Sequence, residues 1–415
     1  MNRLDTTAVR RQFPSIDVLD EGIRRIYLDN PGGTQICGEA VNAMVSYLKH
    51  MNANDGGHFM TSRRTDLLKA EAHDAMADLV GAESGDEIIF GQNMTSLTFS
   101  LSRSMGRELD PGDEIVVTRM DHDANVSPWL MLAGDLGLTV RWIDFNPETN
   151  RYDETSVDEA ITDRTRIVAV NYASNALGTV NDVRDISARA RAVGAWSYVD
   201  AVQYTPHLVT DVQAIGCDFL ACSAYKFFGP HQGIVWGQRQ VLERLTPYKV
   251  RPASNELPTR FETGTLSHEG MAGTLGAVEY LAGLGRETEG GGTNRRADII
   301  RAFERIEATE RPLCQRLLAG LEAIRGVRLY GPGSEGRVPT VAFTSEYISP
   351  AALARSLAEH NIFVWDGDYY AMEVIERLGL AETGGMLRVG LAHYNTEEEV
   401  DTFLDVVEHV STGAR

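Results

Sequence analysis

The sequence predicts an α/β protein with a large, mainly parallel seven-stranded sheet domain and a small C-terminal α/β domain. Three observations carry that expectation. Short, continuous apolar runs alternate with amphipathic stretches from about residue 65 to 240. That is the pattern of strands covered on both faces by helices. A glycine-rich stretch, Gly290-Gly291-Gly292, then interrupts the chain, and a second series of helical and apolar segments follows. A length of 415 residues exceeds what one core usually serves.

Taken in order, a segment over 1–25 carries a short helix at 7–13 and is expected to pack on the small domain. The large domain is expected over 26–290. Its strands fall at the short apolar runs 87–90, 114–118, 140–145, 167–172, 196–200, 219–222 and 233–236. The stretch 182–193 has the spacing of an amphipathic helix. The small domain, 291–415, opens with a long helix over 295–324. Strands follow at 327–330 and 340–343, then a helix over 351–360, then strands at 362–365 and 386–391. The last helix opens at Thr396, three residues before Glu399, as a capping box does.

Open parallel sheets bind ligands beyond the carboxyl ends of their strands. Lys226 follows one such end in Cys222-Ser223-Ala224-Tyr225-Lys226. Desolvation there disfavours its charged form and frees the amine as a nucleophile. Asp200 closes the run 196–200. A strand-end lysine with a strand-end carboxylate suits pyridoxal 5'-phosphate. The amine would join the aldehyde, and the carboxylate would keep the pyridine nitrogen protonated.

Other candidates gather around this pair. Phe90-Gly91-Gln92-Asn93-Met94-Thr95-Ser96 runs from a strand into a helix start. It reads either as a phosphate cradle or as a plain N-cap. Ser223 adds a hydroxyl near the lysine, and Arg260 to Thr265 forms a second Gly-Thr turn. Asn175 and Gln203 follow apolar strands, as turn residues or as partners of a cofactor oxygen. Arg388 lies inside an apolar strand and needs an anion there. A substrate carboxylate or an internal ion pair would serve.

Composition narrows the field. Lys and Arg number 39 against 59 Asp and Glu, a net charge of −20, which argues against nucleic acid and anionic membranes as partners. The N-terminus has no signal-like apolar run, and no stretch reaches the length of a membrane span. The four cysteines are scattered without CxxC spacing. A cytoplasmic chain without disulfides or zinc is expected. Asp121-His122-Asp123 suggests metal ligands, but adjacent strand residues point to opposite faces, so no metal site is expected. His122 suits stacking on a planar ring.

The ordered segments Tyr27-Leu28-Asp29, Met120 to Asn125, Pro128-Trp129, Ser174 to Thr179, Val199 to Gln203, Asp218-Phe219, Lys226 with Gly229-Pro230, Arg260 to Thr265 and Arg388 to Thr396 span nearly the whole chain. Together they resemble the class V aminotransferase family of fold-type I pyridoxal phosphate enzymes, most of all the group II cysteine desulfurases. The resemblance implies the fold-type I transferase architecture, a small amino-acid substrate, and a homodimer with active sites at the interface. It implies that Lys226 carries the cofactor and moves protons. Asp200 would pair with the pyridine nitrogen, Gln203 with the phenolic oxygen, and His122 would stack on the ring. Met94, Thr95, Ser223 and the neighbouring subunit's copy of Thr265 would surround the phosphate. Tyr225 stands where the family has a phosphate-binding histidine. Asn175 and Arg388 would hold the substrate, Arg388 by its α-carboxylate.

The loop Trp365-Asp366-Gly367-Asp368-Tyr369-Tyr370-Ala371 departs from the pattern. Tyr370 stands where desulfurases carry their nucleophilic cysteine, and Trp365 where a second carboxylate-binding arginine is common. Persulfide formation needs a thiolate. The expected activity is therefore a C–S lyase reaction by β-elimination. The alternatives are an aminotransferase or epimerase, a desulfurase using an atypical thiol such as Cys37, and a non-catalytic cofactor-binding protein. Trp365 implies a narrower, more apolar substrate side, and Asp366 and Asp368 disfavour acidic side chains.

Overall fold

The computed structural model describes residues 3–288, 291–292 and 294–412. Gly290, where one domain is expected to end, lies outside the described residues, as do Met1, Asn2 and the last three positions.

All seven strands expected in the large domain form one sheet. They are β1 (Ile88–Gly91), β2 (Glu114–Thr118), β3 (Thr139–Ile143), β4 (Thr165–Asn171), β5 (Trp196–Asp200), β6 (Phe219–Ser223) and β7 (Gly233–Gly237). Their order is β1-β7-β6-β5-β4-β2-β3. Only β7 runs antiparallel to its neighbours. Alternate side chains feed two apolar layers. Val199 and Leu220 join one, Tyr198 and Phe219 the other. That two-sided burial explains the unbroken apolar runs. The third strand stops at Ile143, short of the expected 145. Asp144 turns the chain by accepting the Phe145 N–H, and Phe145–Asn146 pairs instead with Arg151–Tyr152.

The helix Arg295–Ala323 leads into a second sheet and is capped by Asn294, whose side chain accepts the Ala297 N–H at 2.7 Å. That sheet comprises β8 (Val327–Tyr330), β9 (Thr340–Ser345), β10 (Trp365–Gly367) and β11 (Met386–Gly390). Its order is β8-β9-β11-β10, antiparallel throughout. The single strand expected over 362–365 is two. Ile362–Phe363 pairs in parallel with Ile26–Tyr27, and only after Val364 does the chain join β11. An all-apolar run hides this change of partner, because burial pattern does not specify which strand lies alongside. The final helix, Glu397–Thr412, has the expected capping box, with reciprocal bonds of 3.1 Å between Thr396 and Glu399.

The N-terminal helix is shorter than expected, Thr6–Arg10, and Asp5 caps it through the N–H groups of Thr7 and Ala8. Beyond it, Phe13 is buried edge-on against Phe228, Tyr280, His393 and Tyr394. Arg10 is buried and bonds Glu399 and the Tyr394 carbonyl, each at 2.8 Å. The segment thus touches both sheet-bearing units. Phe13→Ala should cost roughly 3–5 kcal/mol of unfolding free energy. Denaturant melts check this, and a loss below about 1 kcal/mol would show the ring to be dispensable. Among the described residues, no helix is long and apolar enough to cross a membrane.

Candidate active site

Asp200 ends β5, directly between Asn171 of β4 and Ala221 of β6. Lys226 follows β6 on a single tight turn, Ala224–Lys226. The two side chains therefore come from the carboxyl ends of neighbouring parallel strands. The turn after the lysine places Phe228, not glycine, in the left-handed region, at φ 70°. Such backbone persists only where its surroundings hold it. Here Phe228 N–H donates to Thr34 Oγ1 at 3.0 Å, and Thr34 N–H donates to the Tyr225 carbonyl at 3.0 Å. Gly229 serves another purpose, since a Cβ there would press on Ala224.

Lys226 is buried, and its ammonium donates to the carbonyls of Pro31 and Gly32. Burial first, and then the nearby Arg388 charge, depress its pKa to about 7. Burial pushes the Asp200 carboxyl up to about 6, against a hydrogen bond from Val202 N–H at 2.9 Å and the charge of Lys226. His122 is pulled down to about 4, chiefly by burial and then by the charges of Lys226 and Arg388. Its Nδ1 accepts the Ala124 N–H at 3.0 Å, so the neutral ring carries its proton on Nε2.

These residues line two adjoining cavities. The first, of about 70 Å³, brings Asp200, Lys226, His122, Ser223, Gln203 and Thr95 together, with Met94, Tyr225 and Asn175. The residues present fit pyridoxal phosphate. Gln203 Oε1 and Asn175 Oδ1 are buried without partners. Gln203 Nε2 lies 3.0 Å from the Thr340 hydroxyl, which can donate or accept, so the amide can present either end to a ligand. Met94 and Thr95 open a 13-residue helix capped by Asn93, leaving backbone N–H groups for a phosphate. Gly233 lets β7 approach this helix start, because a Cβ there would collide with Asn93 and Met94. Thr265 is not in this group. It lines a separate cavity with Gln92, Ser96 and Gln232.

The second cavity, of about 250 Å³, shares Lys226, His122, Asn175 and Tyr225 and adds Arg388, Asp29, Trp365, Tyr369 and Tyr370. Arg388 on β11 meets Asp29 at 3.1 Å and the Asn175 carbonyl at 3.1 Å, over the face of Tyr369. The internal ion pair weighed for Arg388 is therefore present. Tyr369 and Tyr370 both have left-handed backbones, φ 56° and 59°. Asn175 Nδ2 donates to the Tyr369 carbonyl at 2.9 Å, and Asp123 N–H to the Tyr370 carbonyl at 2.6 Å. The Tyr370 ring stacks on His122 at 5.5 Å while remaining 72% exposed, and Trp365 is 56% exposed at the rim.

Sequence reasoning assigned no role to Asp29 and none to Asp121 once metal binding was set aside. Asp121-His122-Asp123 is not strand but a turn past β2. Its three side chains diverge nonetheless. Asp121 is buried under the hydroxyl of Thr118, the amide of Asn125 and the N–H of Asn171, while Asp123 takes the Ser127 hydroxyl. Burial holds the Asp121 carboxyl well above its usual range. Among the described residues, no cluster of three or more His, Cys, Asp or Glu side chains could hold a metal ion. A signal for Asp29 existed: a buried arginine demands an anion, and this carboxylate follows a short apolar run.

The family described as Aminotransferase class-V matches residues 26–403. A probable cysteine desulfurase of Streptomyces coelicolor is 32% identical across 98% of this chain and 97% of its own length. An aminotransferase-like protein of Gibberella zeae is 30% identical across 97% of each chain. Among solved structures, a cysteine desulfurase of Thermococcus onnurineus NA1 in its apo form superimposes with a TM-score of 0.88 at 28% identity, covering 100% of this chain and 99% of that one.

Proposed function

Because the chain belongs to the class V aminotransferase family, and is thereby a pyridoxal phosphate-dependent, cysteine desulfurase-like enzyme acting on a small amino acid, we propose that its reaction is cleavage of a C–S bond by β-elimination. The observation that supports this reading is the placement of the thiols: all four cysteines are free and buried, and none lines either cavity. Burial pushes Cys37 up to about 12 and raises Cys217, Cys222 and Cys314 as well. Tyr370, which we align with the desulfurase nucleophile, offers a phenol that cannot take sulfur as a persulfide.

Bound pyridoxal phosphate would supply an electron-poor ring that takes up the electron pair left at Cα. Lys226 would hold the cofactor by its amine and, once displaced by the substrate amine, act on the Cα proton. A nitrogen titrating near neutrality suits that transfer. Asp200 would keep a proton on the pyridine nitrogen, and neutral His122 would cover the ring. Gln203 would meet the phenolic oxygen; Met94, Thr95, Ser223 and Tyr225 would surround the phosphate. Arg388 and Asn175 would fix the substrate carboxylate, with Trp365 and Tyr370 walling the side-chain end. Lys226 would return the proton to the departing sulfur, so that cysteine and water become sulfide, pyruvate and ammonia.

We also infer a homodimer. Val45, Leu48, Phe59, Met60 and Leu67 are exposed apolar side chains on two helices, Gly38–His50 and Met60–Val80, or at their ends. Thr265, apart from Lys226 in its own chain, would reach the partner's phosphate. The unpaired thiols agree with a reducing, cytoplasmic setting.

The purified holoenzyme incubated with L-cysteine and a panel of amino acids tests the reaction. Sulfide with stoichiometric pyruvate is expected. Alanine with protein-bound persulfide would reinstate desulfurase chemistry, and a keto acid with aminated cofactor would make the protein an aminotransferase.

A further inference from the structure

We propose that Asp29 is the built-in counter-ion of Arg388, and that it makes the substrate pocket prefer a zwitterionic amino acid to a plain carboxylate. The inference rests on the reading above that Arg388 receives the substrate carboxylate.

Arg388 is 4% exposed, so its charge needs compensation before any substrate arrives. Asp29 supplies it at 3.1 Å through Nη2, and the Asn175 carbonyl takes Nη1 at 3.1 Å. Nε is buried and has no hydrogen-bond partner, so the guanidinium keeps donor capacity beyond those two bonds. Arg388 and Asp29 line one cavity that also contains Lys226. A carboxylate entering it meets both charges together.

The backbone is shaped around this acid. Asp29 bridges to Gly390, two residues beyond Arg388, and Gly390 N–H donates to the Leu28 carbonyl at 2.7 Å. The N–H groups of Gly32 and Gly33 close on the Asp29 carbonyl at 3.0 and 3.2 Å. A side chain at Gly32 would collide with the Asp29 carboxylate, so glycine there keeps its place open.

The charge arithmetic gives the selectivity. A lone buried guanidinium attracts any small anion. Paired with Asp29 it is neutral overall, and an incoming carboxylate also feels the repulsion of Asp29. A molecule with an ammonium beside its carboxylate recovers that loss, because Asp29 attracts the ammonium. The acid thus rejects anions that lack an amine, a repulsive element serving specificity. Asp29 is a positioning residue, acting through Arg388.

The test compares two probes without a β leaving group on the holoenzyme: L-alanine, followed by the change in cofactor absorbance as its amine displaces Lys226, and propanoate, measured by competition against it. Asp29→Asn should tighten propanoate and weaken L-alanine, lowering the preference on the order of tenfold or more. Asp29→Ser should behave alike, and Asp29→Glu should restore the preference. An unchanged preference in both neutral variants, or parallel shifts of both probes, overturns the proposal. Arg388→Gln separates it from its premise. If that change leaves both probes unaffected, the carboxylate-binding role of Arg388 fails. If it weakens both while the Asp29 variants keep the wild-type preference, only the role of Asp29 fails.

Discussion

Lys226→Ala should yield a folded protein that cannot link pyridoxal phosphate covalently and whose turnover falls on the order of 10⁴-fold or more. Two duties are lost together, attachment of the cofactor and transfer of the Cα proton. The visible band of the lysine-bound cofactor and the steady-state rate are the measurements; a variant that keeps both would refute the assignment. A pH series sharpens the test. The Lys226 amine titrates near 7, so its capture of pyridoxal phosphate by the wild-type apoprotein should quicken as pH rises through 7. Stability should follow the same residue. Between about 7 and the ordinary lysine value of 10.5, the unfolded chain holds a proton that the native chain does not. The apoprotein should therefore gain stability as pH rises across that window, and the alanine variant should lack the gain.

Asp200→Asn should leave covalent attachment intact while lowering kcat on the order of 10²–10³-fold. The carboxylate is fixed at a strand end, buried, and raised to about 6, so at neutral pH it still carries its charge. An amide of the same shape removes that charge without changing the packing. The pyridine nitrogen would then lose its proton, and with it the pull on the electrons at Cα. A variant within tenfold of wild type would show that the ring nitrogen does not depend on this acid.

Much of this protein is legible in its residues. The seven strands of the large sheet stand out because each is buried on both faces, which leaves an unbroken apolar run. Lys226 and Asp200 stand out because a charge at the end of such a run has no structural excuse. What is illegible depends on distant pairing. Arg388 and Asp29 lie 359 residues apart, and no local pattern links them. The run 362–365 looks like one strand but divides between two partners. The left-handed Tyr369 and Tyr370 give no warning either, since neither is a residue that favours that backbone. The buried role of Asp121 is illegible too, because its donors come from Thr118, Asn125 and Asn171, which no local pattern singles out.

The meeting of the chain's two ends has a consequence for synthesis. Arg10 waits for Tyr394 and Glu399, Ile26 for Ile362, and Asp29 for Arg388. At typical elongation speeds, Asp29 leaves the ribosome roughly 20–70 s before its arginine. The residues proposed to grip the cofactor, from Met94 to Lys226, emerge long before then. A nascent chain thus presents the lysine and its aspartate well before it can clasp an amino acid, and the substrate pocket closes only once the strand that carries Arg388 has emerged.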